Sequence, residues 1–195
     1  MDPKTALQRT ETLMLDMDGT LLDLAYDNYI WKDLVPRHYA IQNDMAFEDA
    51  RDHLLGQYQA ILGDLKWYCL DHWCERLGVD VVQLHRDADD RIDYLPGALA
   101  FLKAVQQKDM QVLLVTNSHP DTLALKDQAT GLGQYLDGIF SSHTYGHAKE
   151  EQSFWHALQE DVEFDVETTL FVDDSQPVLQ SARDYGVEML VTVTR

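Results

Sequence analysis

From residue 97 onward, short apolar runs alternate with stretches whose apolar positions recur at helical spacing. The pattern predicts helices over 97–108, 120–130 (stopped by Gly131), 149–160 and 175–185. Between them it predicts strands over 111–115, 138–142, 169–173 and 188–193. A further apolar run, Leu13-Met14-Leu15, reads as a buried strand near the amino terminus. Strands that alternate with helices imply a parallel sheet with right-handed crossovers. The expected fold class is α/β, a Rossmann-like parallel sheet with helices on both faces.

Between the first two strands lies a stretch too long for a minimal βαβ unit. Leu54, Tyr58, Ile61, Leu62 and Leu65 form one helical stripe; Trp67, Leu70, Trp73, Cys74 and Leu77 form another that ends at Gly78. A more polar helix is expected over 80–90. The chain therefore divides into a sheet-bearing core, 1–22 and 97–195, and an inserted helical unit, 23–96. Cys69 and Cys74 would sit about 140° apart around a helix, poor geometry for a disulfide or a shared metal, so they read as packing residues.

Composition narrows the picture. Among 195 residues, 45% are apolar, enough for a core, and no run approaches a membrane span. The first residues lack an apolar signal core, which predicts a cytoplasmic protein. Net charge is −19 with no basic run, so nucleic-acid and anionic-membrane partners are disfavoured. An anionic substrate would need local groups to reverse the sign.

The candidate chemistry starts at Leu13-Met-Leu-Asp-Met-Asp-Gly-Thr20. Asp16 and Asp18 stand at the carboxyl end of a predicted buried strand, where open α/β sheets bind ligands. Strand alternation would point both carboxylates the same way. At about 4 Å they would repel by roughly 4 kcal/mol at an effective dielectric near 20, which asks for a cation or proton between them. Mg²⁺ suits such hard oxygen donors. Gly19 permits a sharp turn, and Thr20 offers a hydroxyl and a possible cap. The plainer alternative is an acidic surface turn. Val115-Thr-Asn-Ser118 alone reads as a strand running into a turn, and Lys149 alone as a solvated lysine. Asp173-Asp174 resists such a reading, because Leu170, Phe171 and Val172 mark a buried strand delivering two acids to one edge.

Taken together and in order, these segments resemble the four motifs of the haloacid dehalogenase superfamily, mostly phosphatases. Asp16-Met-Asp-Gly-Thr20 matches the first, Thr116 after an apolar strand the second, Lys149 at a helix start the third, and Asp173-Asp174 the fourth. Many relatives have Lys-Pro where this chain has Lys149-Glu150-Glu151. The resemblance implies phosphoryl transfer to Asp16, with Asp18 as general acid and then base. It also implies phosphate binding by Thr116, Asn117 and Lys149, and Mg²⁺ held by Asp16, Asp18 (through its main-chain carbonyl), Asp174 and Asp173. The insertion resembles a helical cap hinged near 22–26 and 92–97.

Asp23-Leu-Ala-Tyr-Asp-Asn-Tyr-Ile-Trp31, Trp67-Tyr-Cys-Leu-Asp71 and Thr116-Asn-Ser-His-Pro120 further resemble a bacterial subgroup described as GMP/IMP nucleotidases. That implies a small phosphorylated metabolite, a purine nucleotide, as partner. Tyr26, Tyr29, Trp31, Trp67, Tyr68 and Trp73 could stack a base, although aromatics at helical spacing equally suit a core. His119 lies close enough to the second motif to line the site. The alternatives are a sugar-phosphate or phosphoglycolate-type phosphatase, a phosphomutase, or a non-catalytic binding protein.

Overall fold

The computed structural model describes residues 7–193. The ends of the expected core segments, and most of the terminal stretch read for a signal, lie outside the described residues. Five strands, β1 (Thr12–Leu15), β2 (Gln111–Thr116), β3 (Gly138–Ser141), β4 (Thr169–Asp173) and β5 (Met189–Thr192), form one parallel sheet in the order β3-β2-β1-β4-β5. Leu13, Met14 and Leu15 are all fully buried, which explains why β1 reads as a continuous apolar run: a parallel sheet covered on both faces needs no polar side.

Pleating divides the strand side chains between two cores. Leu13, Leu15, Val112 and Leu114 pack with Leu102 and Val105 of α6 (Ala98–Val105). Met14, Leu113, Val115 and Phe171 meet Phe154, Trp155 and Leu158 of α9 (Gln152–Asp161) and Val178 and Ala182 of α10 (Gln176–Tyr185). The chain steps outward from β1 to β2 to β3, then crosses back to place β4 on the other side of β1. The carboxyl ends of β1 and β4 are thus a topological switch point, where a crevice opens.

The insertion has a third core of its own, built on Tyr26, Ile30, Leu54, Leu70, Trp73 and Leu84. Its helices are α1 (Ala25–Tyr29), α2 (Val35–Gln42), α3 (Phe47–Ala60), α4 (Leu70–Leu77) and α5 (Val81–Asp87). Between α1 and α2 the helix widens to a π turn over Ile30–Leu34, where the Val35 N–H reaches back to the Ile30 carbonyl. Pro36 supplies the reason: it has no N–H for the Lys32 carbonyl and its ring crowds that carbonyl. The chain enters and leaves the insertion side by side, with Asp23 N–H donating to the Asp93 carbonyl at 2.9 Å and Leu95 N–H to the Leu21 carbonyl at 2.8 Å.

Several boundaries differ from expectation. The stripe through Leu65 breaks because α3 ends at Ala60 and Gly63, at φ +87°, turns the chain; Leu62 is 67% exposed and Leu65 opens a 3₁₀ turn, Leu65–Tyr68. The helix expected over 80–90 stops at Asp87 and is followed by a separate 3₁₀ turn, Asp89–Arg91. Ser142 leaves the β3 strand to start α8 (Ser142–Tyr145). Thr20 caps no helix; its hydroxyl is buried and finds no hydrogen-bond partner among the described residues. Among those residues no helix is long and apolar enough to cross a membrane.

Candidate active site

β1 ends one residue before Asp16, whose N–H still donates to the Val172 carbonyl at 2.9 Å, so the sheet register itself sets Asp16 beside the end of β4. There Asp16, Asp173 and Asp174 bring carboxylate oxygens within 4.8 Å of one another. Lys149, 2% exposed, donates to Asp16 Oδ1 at 2.6 Å, to Asp173 Oδ2 at 2.8 Å and to the Val115 carbonyl at 3.0 Å, joining the ends of three strands. Burial alone would discharge this lysine, but the two carboxylates win and hold it above its ordinary pKa. Burial pushes the Asp16 carboxyl up to about 8 against the pull of Lys149, with Asp173 and Asp18 adding to the rise. The solvated-lysine reading of Lys149 is overturned. So is its place in a helix, because α9 begins at Gln152.

Thr116 ends β2 and accepts the Ser118 N–H at 3.0 Å. Asn117 uses both ends of its side chain on the lysine's own loop: its Oδ1 accepts the Lys149 N–H at 2.9 Å and its Nδ2 donates to Glu150 Oε2 at 2.9 Å. Trp155 Nε1, fully buried, donates to the Lys149 carbonyl at 2.9 Å and fixes the same loop from below.

Asp18 departs from the expectation of two carboxylates sharing one cation. The strand has ended and Gly19, at φ +90°, turns the chain, so the Asp18 carboxylate leaves the Asp16 cluster and accepts from Lys126 Nζ at 2.7 Å. The same ammonium, 2% exposed, donates to Asp27 at 2.8 and 3.0 Å. Burial raises the Asp27 carboxyl to about 6, with Lys126 opposing and Asp18 adding.

Above this floor is a cavity of about 240 Å³. Trp31, Trp67, Tyr68 and Leu70 wall it from the insertion, and Thr116, Asn117 and His119 from the sheet ends. Five carboxylates and two lysines line it, a net charge of −3 when all are ionised. The other three expected stacking residues do not line this cavity: Tyr26 is core, Trp73, 1% exposed, packs in the insertion core and edges an adjoining apolar cavity, and Tyr29 stacks under Arg91 at 3.9 Å. Tyr68 Oη donates to Glu150 Oε1 at 2.6 Å, a direct bond from insertion to sheet loop.

A family model described as haloacid dehalogenase-like hydrolase matches residues 10–186. The chain belongs to the haloacid dehalogenase-like hydrolases. It is 41% identical over 189 residues to the GMP/IMP nucleotidase YrfG of Escherichia coli K12, covering 97% of this chain and 85% of that protein. Among solved haloacid dehalogenase folds it resembles a phosphatase from Thermococcus onnurineus, with a TM-score of 0.82 at 18% identity over 95% of this chain and 87% of that one. It also resembles a family enzyme of Bacteroides thetaiotaomicron in complex with magnesium and inorganic phosphate, with a TM-score of 0.69 at 18% identity over 95% and 94% of the two chains.

Sequence reasoning missed Lys126, Glu150 and a side-chain group formed by Cys69, His119 and His143. Lys126 had one available signal: with Thr122 it makes the buried face of α7 (Pro120–Thr130), a polar i, i+4 pair on a helix of a sheet-bearing core. Glu150 was visible as the departure from Lys-Pro. Nothing in the spacing of Cys69, His119 and His143 marked them as neighbours.

Proposed function

We propose that this hydrolase is a Mg²⁺-dependent nucleotidase that cleaves purine nucleoside 5′-monophosphates through an aspartyl-phosphate on Asp16. The observation that carries this is the meeting of Asp16, Asp173 and Asp174 with Thr116 and Lys149 at the β1/β4 switch point, under an aromatic wall. An all-oxygen donor set suits Mg²⁺, and a pocket of net charge −3 would repel a phosphate dianion without a divalent cation. Asp16, Asp173 and Asp174 would hold the ion, with the Asp18 main-chain carbonyl as a further donor. When bound, the ion neutralises charge developing on the phosphoryl oxygens.

Asp16 attacks phosphorus in line, forming the Asp16–phosphorus bond as the ester P–O bond breaks. Asp18 gives its proton to the departing alkoxide, then takes one from the water that attacks phosphorus and frees Asp16. Thr116 and Lys149 steady the phosphoryl oxygens, and Asn117 keeps the Lys149–Glu150 loop in place. Residues 23–96 act as a cap hinged at the paired segments 21–23 and 93–95, closing through Tyr68–Glu150 and Lys126–Asp27.

The cavity is smaller than most ligand pockets, which favours a sugar phosphate as second reading. An adjoining apolar cavity of about 280 Å³ shares Trp31 and Trp67 with it, and that room favours a base. Phosphate release with Mg²⁺ should be at least ten-fold faster in kcat/KM for GMP or IMP than for hexose phosphates or phosphoglycolate, and absent in Asp16→Asn. A folded Asp16→Asn with full activity would overturn the nucleophile, and preference for a hexose phosphate would overturn the substrate.

A further inference from the structure

Three side chains outside the carboxylate cluster bring metal-ligating atoms together. Cys69 precedes α4, His119 follows β2, and His143 lies in α8 just after β3. One ligand atom from each lies within 4.8 Å of the other two. The His119 and His143 rings stand edge to face, 5.0 Å between centroids. His143 Nε2 is buried without a hydrogen-bond partner among the described residues, an unfavourable position unless something fills it. Main-chain groups of Asn117 and Tyr68 lie within reach of the same ring. His119 Nδ1 accepts the Asp121 N–H at 3.3 Å, which leaves Nε2, 3.7 Å from Asp71 Oδ2, as the ring's free ligand atom.

We propose that Cys69, His119 and His143 form a second metal site, of thiolate–imidazole type and suited to a zinc-class divalent ion, that fastens the cap to the core. One thiolate and two imidazoles select borderline ions, whereas the all-oxygen Asp16 cluster selects hard ones. Tetrahedral zinc would draw such donors from within 4.8 Å to about 3.3–3.7 Å apart, an adjustment of at most about 1.5 Å. Asp71 or water completes the fourth position. Because Cys69 belongs to the insertion and both histidines to the core segments that follow β2 and β3, the ion bridges the two units beside the Tyr68–Glu150 bond. The site stands independently of the phosphatase reading.

The test uses the whole chain, freed of metal by chelation, and Co²⁺ as probe. A thiolate-to-cobalt charge-transfer band should saturate at one equivalent and be displaced by Zn²⁺. Cys69→Ser should abolish it and His143→Gln should weaken Co²⁺ binding at least ten-fold, while Cys74→Ser and Asp16→Asn retain it. Zn²⁺ should raise the melting temperature of the parent protein but not of Cys69→Ser, and should shield Cys69 from alkylation in Cys74→Ser. No band, a band that survives Cys69→Ser, a band lost in Asp16→Asn, or a Cys69 left unshielded overturns the proposal.

Discussion

Lys126→Met tests how Asp18, the proposed general acid, is held. Methionine keeps most of the stem volume and removes an ammonium that is 2% exposed and lies 2.7 Å from Asp18 and 2.8 Å from Asp27. Removing one partner of a fully buried ion pair costs about 3–5 kcal/mol, because the remaining charge loses its compensation. Here both carboxylates keep roughly a quarter of their side-chain surface in the cavity, at 24% and 23% exposed, and water can partly replace the lysine. The expected loss is therefore at the lower end, about 3 kcal/mol, or about 6–12 °C in melting temperature for a chain of this size. Asp27→Asn added to Lys126→Met should recover part of it by removing one of the two carboxylates left facing each other. Turnover should also fall, by about 10²-fold, because a displaced general acid forfeits most of its advantage. Urea unfolding measures the first effect and phosphate release at saturating substrate the second. In an Asp18→Asn background, Lys126→Met should have little further effect on kcat, since both changes remove the same function. Independent, multiplying losses in that double mutant, or a Lys126→Met protein with full stability and turnover, would refute the positioning role.

Three other outcomes follow from the same geometry. His85 is 3% exposed, and burial first, then Lys126 and His119, lowers its pKa to about 3; the unfolded chain takes up the proton below about pH 6.5 and the folded one does not, so stability is complete above that pH and falls by about 1.4 kcal/mol per unit as pH drops toward 3. Urea unfolding of the parent protein against His85→Gln should therefore diverge by about 2 kcal/mol between pH 6.5 and 5. Trp155→Phe leaves the Lys149 carbonyl and Ser181 Oγ without the indole N–H, at 2.9 and 3.0 Å; chemical denaturation should show about 2 kcal/mol lost, and kcat should fall with the loosened Lys149 loop. Tyr68→Phe removes the 2.6 Å bond to Glu150 and should raise KM several-fold with little change in global stability, read by steady-state kinetics and thermal melting.

The floor of the site was legible because its residues terminate apolar strands: Asp16 follows Leu13-Met-Leu, Thr116 ends Val112-Leu-Leu-Val, and Asp173 ends Leu170-Phe-Val. A buried parallel strand leaves a run without alternation, and the polar residue that ends it faces the ligand crevice. The roof was not legible in the same way. Six aromatics shared helical spacing, and whether each faces the cavity or the cap core depends on the rotation of its helix. The π turn over Ile30–Leu34 carries Trp31 to the cavity, while Trp73, on a regular helix, stays in the core. Lys126 escaped notice because period arguments look for apolar faces, whereas α7 turns Thr122 and Lys126 inward to meet charge. Its value lies in two partners far away in sequence, Asp18 and Asp27.

The two buried lysines do different jobs, and the difference links chemistry to closure. Lys149 takes its side-chain acceptors wholly from the core, at the ends of β1, β2 and β4. Lys126 spans the boundary: one carboxylate comes from the first motif and the other from α1 of the cap. In the cap opening proposed above, Asp27 would withdraw and Asp18 would remain as the counter-charge of Lys126, changing the electrostatic setting of the proposed acid. The Glu150 bridge acts alongside. Tyr68 grips Oε1, Asn117 grips Oε2, and Asn117 also holds the Lys149 N–H, so a cap contact reaches the lysine loop through one side chain. The proposed closure would thus bear on both proton transfer and phosphate contact, a way for a hydrolase to keep water from its intermediate until the leaving group has gone.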